Sequence, residues 1–165
     1  MSKSGDRIAR RPSKTLARYW SMREAGQLVG HYYVWFLGLQ TTDTARLLEK
    51  VRGGLSFAAW ERFQKTTELP TDTLIELVQI TLRTLSRRKE EGKLRPDESD
   101  RLLRASRVFA KALDLFEGDA DAAREWLQGS NTALGGASPL SYSSTEVGAL
   151  EVESLIGRLE HGIPS

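Results

Sequence analysis

The chain has 165 residues, 39% hydrophobic and 28% charged, which allows one compact core or two small helical units sharing one, as in an ordinary soluble globular protein. It contains no cysteine, which excludes disulfides, cysteine nucleophiles and thiolate metal sites and suits a cytoplasmic location. The formal net charge of +2 is unevenly spread, with basic segments at 1–20 and 81–111 and an acidic one at 117–165. That division suggests two different partners, although solvated helix faces also carry charge of this kind.

Residues 1–20 are rich in Ser, Arg and Lys and include Pro12. They read as a disordered basic arm, which either grips phosphates or a minor groove or is inert. No export signal is expected, because the apolar stretch 28–39 starts late, contains Gly30 and His31, and has no small-residue cleavage site after it. It is also shorter than the about 20 residues that span a bilayer. Residues 21–54 are expected to be an N-terminal dimerisation or packing segment. Within it Tyr32-Tyr33-Val34-Trp35-Phe36-Leu37 is dense in β-formers. It is either one short strand, which would need a mate across a homodimer, or a buried helical turn.

Thr41-Thr42-Asp43-Thr44 offers cap residues for a helix over about 45–52, with Leu47, Leu48 and Val51 on one face and Gly53-Gly54 at its end. Ser56 caps the next, with Phe57, Trp60 and Phe63 inward. Pro70 interrupts, and Thr71 or Asp72 starts a helix striped by Leu74, Leu77 and Val78. After a turn at Ile80-Thr81, Thr81 caps a helix that Gly92 stops. Pro96 opens the longest helix, with Asp97 and Glu98 at its positive end and the pairs Asp97–Arg101 and Asp100–Arg104 along it. Its stripe is Leu102, Ala105, Phe109, Ala112 or Leu113, and Phe116. Asp119 caps a short helix that ends at Gly129. Thr145 opens the last helix, with Val152, Leu155, Ile156 and Leu159 inward and Gly162 as its left-handed cap.

The segment 81–91 carries a DNA-reading pattern. A helix-turn-helix sets a short second helix in the major groove, with one side packed and one side facing bases. With Leu85 inward and about 100° per residue, Leu82, Arg88 and Lys89 flank the packed side. Arg83 and Arg87 then lie on the opposite face one turn apart, with Ser86 beside Arg87. Arginine pairs with guanine through two parallel hydrogen bonds. Thr81, Thr84, Arg88, Lys89 and Lys93 complete the candidate DNA-binding set, with Thr81, Arg88, Lys89 and Lys93 expected on phosphates. A solvated, arginine-rich helix would have the same pattern, and the turn carries Gln79 where glycine is frequent.

The second half narrows the choice. Arg83-Thr84-Leu85-Ser86-Arg87-Arg88-Lys89 is followed by Gly92, Leu94, the run 97–104, and Phe116-Glu117-Gly118-Asp119. Ala123, Trp126-Leu127, Asn131, Ala133-Leu134-Gly135-Gly136 and Pro139-Leu140 come next, then Thr145, Gly148, Val152 and Leu159-Glu160-His161-Gly162. In this order they resemble the Xre/MbcA/ParS antitoxins of bacterial RES–Xre toxin–antitoxin pairs, over roughly residues 53–165. The resemblance implies a mainly α fold, with an Xre-like helix-turn-helix bundle at 55–116 and a small helical toxin-binding domain at 117–165. It further implies a homodimer, a cognate RES-domain toxin that consumes NAD and whose active site is covered, and repression of the chain's own promoter at a palindromic operator.

Candidate toxin contacts are Trp126, Asn131, Leu134, Gly135, Gly136, Glu151, Glu153, Arg158, Glu160, Gly162, Ile163, Pro164 and Ser165. Trp126 could be an interface anchor, yet a tryptophan beside Leu127 on a short helix is more often core. Asn131, Gly135 and Gly136 have a structural reading as turn residues. Glu151, Glu153 and Glu160 could mimic the phosphates of NAD in a basic cleft. The last helix and its end, 162–165, form the other candidate for entering that cleft.

No catalytic constellation appears, and neither an enzyme activity, a metal, a cofactor nor a membrane partner is expected. His31 and His161 lack metal-ligand spacing; the first reads as packed and the second as a favourable cation at a helix C-terminus. The alternative to an antitoxin is a stand-alone helix-turn-helix regulator whose tail binds another protein.

Overall fold

The computed structural model describes residues 11, 13–41 and 43–162, and among these the fold is mainly helical with no sheet. Among the described residues nine α-helices follow one another: α1 Lys14–Glu24, α2 Thr44–Gly53, α3 Phe57–Thr67, α4 Thr71–Val78, α5 Leu82–Glu91, α6 Pro96–Leu115, α7 Ala120–Gln128, α8 Pro139–Tyr142 and α9 Glu146–Glu160. Two 3₁₀ turns lie at Tyr32–Leu37 and Thr132–Leu134. Most helix starts follow the capping chemistry of the sequence, whereas Ser56 stands at the start of α3 without a capping hydrogen bond from its side chain. Asp43, Thr81, Asp119, Ser138 and Thr145 each accept a hydrogen bond from a first-turn amide with their own side chain.

The long helix α6 is the axis of the molecule. Leu102, Ala105, Val108, Phe109, Ala110, Ala112 and Leu113 are all buried along it, too many for one stripe. A helix buried on most sides needs neighbours all round, and α2, α3, α4, α7, α9 and the first 3₁₀ turn supply them. Trp60 and Phe63 come from α3, Leu74, Leu77 and Val78 from α4, Ala123 and Leu127 from α7, and Val152, Leu155 and Ile156 from α9. These form one continuous cluster, so the last fifty residues share the core of the preceding helices. Leu48 and Leu159, expected inward, are exposed.

One expectation for the N-terminal region is corrected and one open alternative is decided. The basic arm was expected to reach residue 20. Ser13 instead caps α1, whose Leu16 and Tyr19 are buried. The Trp20 ring lies against Gly118, at φ +89°, where a Cβ would fall 2.6 Å from the indole. Arg23 forms a bidentate pair with Asp114 at 3.1 and 3.2 Å and stacks over the Tyr32 ring. Apolar anchors every third or fourth residue thus outweigh the charge-rich composition. The arm's residues 1–10 and 12 lie outside the described residues. Tyr32–Leu37, open between a short strand and a buried helical turn, is a 3₁₀ turn. Its β-formers fill the core: Phe36 packs on Tyr19 at 4.4 Å and on Phe109 at 5.5 Å between ring centroids. Ring packing here satisfies the aromatic side chains without a neighbouring strand. His31 is half-buried, as a packed histidine should be, and bridges the Tyr33 hydroxyl at 2.9 Å and Thr44 Oγ1 at 2.8 Å.

Candidate nucleic-acid and partner interfaces

Helices α4 and α5 meet at a tight turn. Gln79 takes the left-handed conformation, φ 57°, that glycine usually fills, and its amide bonds back to the Glu76 carbonyl at 3.2 Å. Left-handed backbone costs a non-glycine residue about 1–2 kcal/mol. Part of that is offset because Gln79 Nε2 donates to the Ser144 carbonyl at 3.2 Å, which ties the turn to the residues before α9. Gln79→Ala keeps the strain and loses the bond, whereas Gln79→Gly loses both. We expect the glycine variant to be the more stable of the two by about 1 kcal/mol in urea denaturation. Equal midpoints would mean the turn is not strained.

The start of α5 is fixed from two sides. Thr81 Oγ1 accepts the Thr84 amide at 3.1 Å, and Arg101 of α6 donates to the last carbonyl of α4, Val78, at 3.2 Å. On the inner side Leu85 is half-buried against the core and Arg88 is buried. The outer side presents Leu82, Arg83, Ser86, Arg87, Lys89 and Glu90 to solvent, and Lys93 follows beyond the helix end. Thr84 is half-buried.

Arg88 is therefore not a phosphate contact. It is 2% exposed and gives three hydrogen bonds of 2.8–3.1 Å to the Glu98 carboxylate and a fourth to Glu91. Glu98 also accepts the Arg95 amide at 2.8 Å, capping α6. Burial pushes the Glu98 carboxyl up, but the hydrogen bonds from Arg88 and the Arg95 amide more than offset this and hold it below its ordinary value. For Arg88 the position at the flank of the packed side was legible in the sequence; its partner Glu98 on the next helix was not.

A second charged cluster joins α6 to α9. Arg104 Nε meets Glu146 at 2.8 Å and its Nη1 meets the Ser144 carbonyl at 3.2 Å. Arg107 reaches Glu146 at 2.7 Å and Glu153 at 2.5 Å. Burial raises the Glu146 carboxyl, and the hydrogen bonds from both arginines bring it below its ordinary value. Glu153 is thus committed to Arg107 within the chain, which removes it from the acidic trio expected to mimic phosphates. Glu151 faces solvent and pairs with Arg158 at 3.5 Å, and Glu160 is exposed.

The other tail candidates divide by burial. Leu134 is in the core, which corrects its expected role as a contact. Asn131 accepts the Ala133 amide at 3.0 Å, and its own carbonyl accepts the Gly136 amide at 2.9 Å. With Gly135 and Gly136 at positive φ this is a self-bonded turn. Trp126 is half-buried and tilted against Phe116 at 6.3 Å, between core and surface. Gly162 is exposed at φ +66°, and the expected contacts Ile163, Pro164 and Ser165 lie outside the described residues. The outer face of α9 carries two residues not foreseen, Val147 at 80% and Leu150 at 55% exposure, in line with Glu151, Ser154 and Arg158. They step with the same helical period as the buried stripe, turned outward.

A short capped helix with a basic outer face, braced by the helices before and after it, defines a helix-turn-helix unit, and the remaining helices pack on its core. Comparison with known proteins agrees. Residues 46–107 match the profile of the antitoxin Xre-like helix-turn-helix domain, and residues 111–162 that of the antitoxin Xre/MbcA/ParS C-terminal toxin-binding domain. An Antitoxin Xre of Yersinia enterocolitica is 37% identical over 128 residues, covering 77% of this chain and 86% of the relative. One of Photorhabdus laumondii is 36% identical over 130 residues, covering 78% and 88%. One of Pseudomonas putida is 36% identical over 100 residues, covering 59% and 62%. The chain belongs to the Xre antitoxin family, which is not a family of enzymes. Among the described residues no helix is long and apolar enough to cross a membrane.

Proposed function

We propose that this chain is a cytoplasmic antitoxin that neutralises a cognate NAD-consuming RES-domain toxin by covering its active site. As a homodimer it also binds a palindromic operator in its own promoter and represses the operon. The observation that carries this reading is the pairing of a braced basic helix, α5, with a C-terminal unit of the toxin-binding type on one core. The toxin seats on the outer face of α9. Val147 and Leu150 supply apolar area, and Glu151 and Glu160 negative charge. The test is co-expression with the adjacent gene product, read by co-purification and by cellular NAD. NAD depletion by the neighbour that this chain prevents, with loss of protection on Val147→Glu plus Leu150→Glu, is the expected result. A neighbour that neither binds nor lowers NAD leaves a helix-turn-helix regulator with another tail partner.

Arg83 and Arg87 are the base-reading pair and Lys89 and Lys93 meet phosphates. Arg83→Ala with Arg87→Ala should remove most of the sequence preference, above all that for guanine, while residual affinity still falls steeply with salt. A double variant that selects the same operator as the parent chain would refute this reading face.

A further inference from the structure

Leu82, at the flank of the packed side by helical period, is the one exposed apolar side chain of α5. It is 56% exposed as the first residue of α5, although it follows closely in sequence on Leu77 and Val78 of α4, which are in the core. The attachment of α5 to the core is made by other residues, Leu85 and the Arg88–Glu98 pair. Leu82 is thus free of a packing role and stands on a rigid first turn, held by the Thr81 cap and by Arg101 on the Val78 carbonyl. Its neighbours outward are Arg83 and, one turn on, Ser86.

We infer that Leu82 is a base-reading residue that packs on the C5-methyl of a thymine, beside the base met by Arg83. This rests on the proposed binding of α5 in a major groove. In that docking the N-terminal residues of the reading helix reach the base edges. The thymine C5-methyl is the one large apolar group on those edges, which otherwise offer mainly hydrogen-bond donors and acceptors. A leucine cannot bond to a donor or acceptor, and facing one it would desolvate it without return. Facing a methyl it gains burial on both sides, and removal of one methyl should cost about three- to fivefold in affinity. The phosphate contacts of Lys89 and Lys93 are unaffected by that choice, so the effect is one of sequence preference and not of general affinity.

The test uses the full chain, a DNA duplex covering the region immediately upstream of its own gene, and copies in which single thymines are replaced by deoxyuridine, which lacks only the methyl. The parent chain should lose about three- to fivefold at one thymine per half-site. Leu82→Ala, an exposed change to a good helix former, should bind the parent duplex more weakly and show no loss at that same position. Its salt dependence should match that of the parent chain. Parent binding that is indifferent to every deoxyuridine, or a Leu82→Ala variant as sensitive as the parent, overturns the assignment while leaving the DNA-binding reading intact. Failure of the full chain to select the upstream duplex, with and without toxin, overturns both.

Discussion

Replacing Arg88 by alanine should cost about 3–5 kcal/mol of folding stability at neutral pH, because it strands a carboxylate that is 4% exposed. Glu98 would keep only the Arg95 amide. Removing both charges is a different experiment. Arg88→Met with Glu98→Met should recover most of the loss, since well-packed apolar residues often replace a buried ion pair without penalty. The pH dependence carries the sign. Glu98 in the parent chain titrates below its ordinary 4.5, so its contribution is complete above 4.5 and is lost as the pH falls through the lowered folded value. In Arg88→Ala burial acts on the carboxyl without its main opponent, so its folded value rises above 4.5. The deficit of the variant should therefore be largest near pH 7 and shrink as the pH falls through that raised value. Urea midpoints at pH 7 and pH 5 measure both. A deficit independent of pH would mean the cost is packing alone. DNA binding separates the roles further. Where the variant remains folded its salt slope should equal that of the parent chain, whereas Lys89→Ala should lower the slope by about one.

Local rules carried much of the fold. Caps, glycine stops and stripes place α2 to α7 and α9 within a residue or two, since each signal is contained in one turn of helix. What the sequence hid were partnerships between distant segments. Asp97–Arg101 and Asp100–Arg104 were legible as i,i+4 pairs and exist at 3.3 and 3.4 Å. Yet each arginine also reaches a carbonyl on another element, Val78 or Ser144, which no local spacing announces. Glu153 looked like tail charge for a partner and is used internally by Arg107. Residues 14–20 looked like an arm because composition averages over Leu16, Tyr19 and Trp20. In the candidate interfaces, the arginine face of α5 was readable from period alone. The outward Val147 and Leu150 of α9 were passed over, because the stripe of Val152, Leu155 and Ile156 already accounted for the packing of that helix.

Gly148 and Gly157 lie in the same helix, and alanine should have opposite effects at the two. Intrinsic helix propensity favours alanine over glycine by about 1 kcal/mol at either. At Gly157 no heavy atom lies within 4 Å of where a Cβ would stand, so Gly157→Ala should stabilise by roughly 0.5–1 kcal/mol. At Gly148 the Cβ would fall 1.7 Å from the Tyr142 carbonyl oxygen and 3.2 Å from Thr145 Oγ1. Backbone cannot step aside as a flexible side chain can. Tyr142 ends α8, which is held by buried Leu140 and by Ser143 Oγ on the Pro139 carbonyl at 2.7 Å. Relief must come from moving α8 off α9 or from unwinding the first turn, where Thr145 caps and Glu146 meets Arg104 and Arg107. Steric cost therefore overrides propensity, and Gly148→Ala should destabilise by about 3 kcal/mol or more, or some 6–12 °C in Tm for a chain of this size. The same displacement would pull on Ser144, whose carbonyl holds both Gln79 of the helix-turn-helix turn and Arg104. A Gly148→Ala variant that is folded at low temperature should then show altered operator affinity as well, although residue 148 is not on the DNA-reading helix. Thermal unfolding of the two variants decides the matter: a Tm raised by both substitutions would mean that α8 yields easily and does not clamp the start of α9.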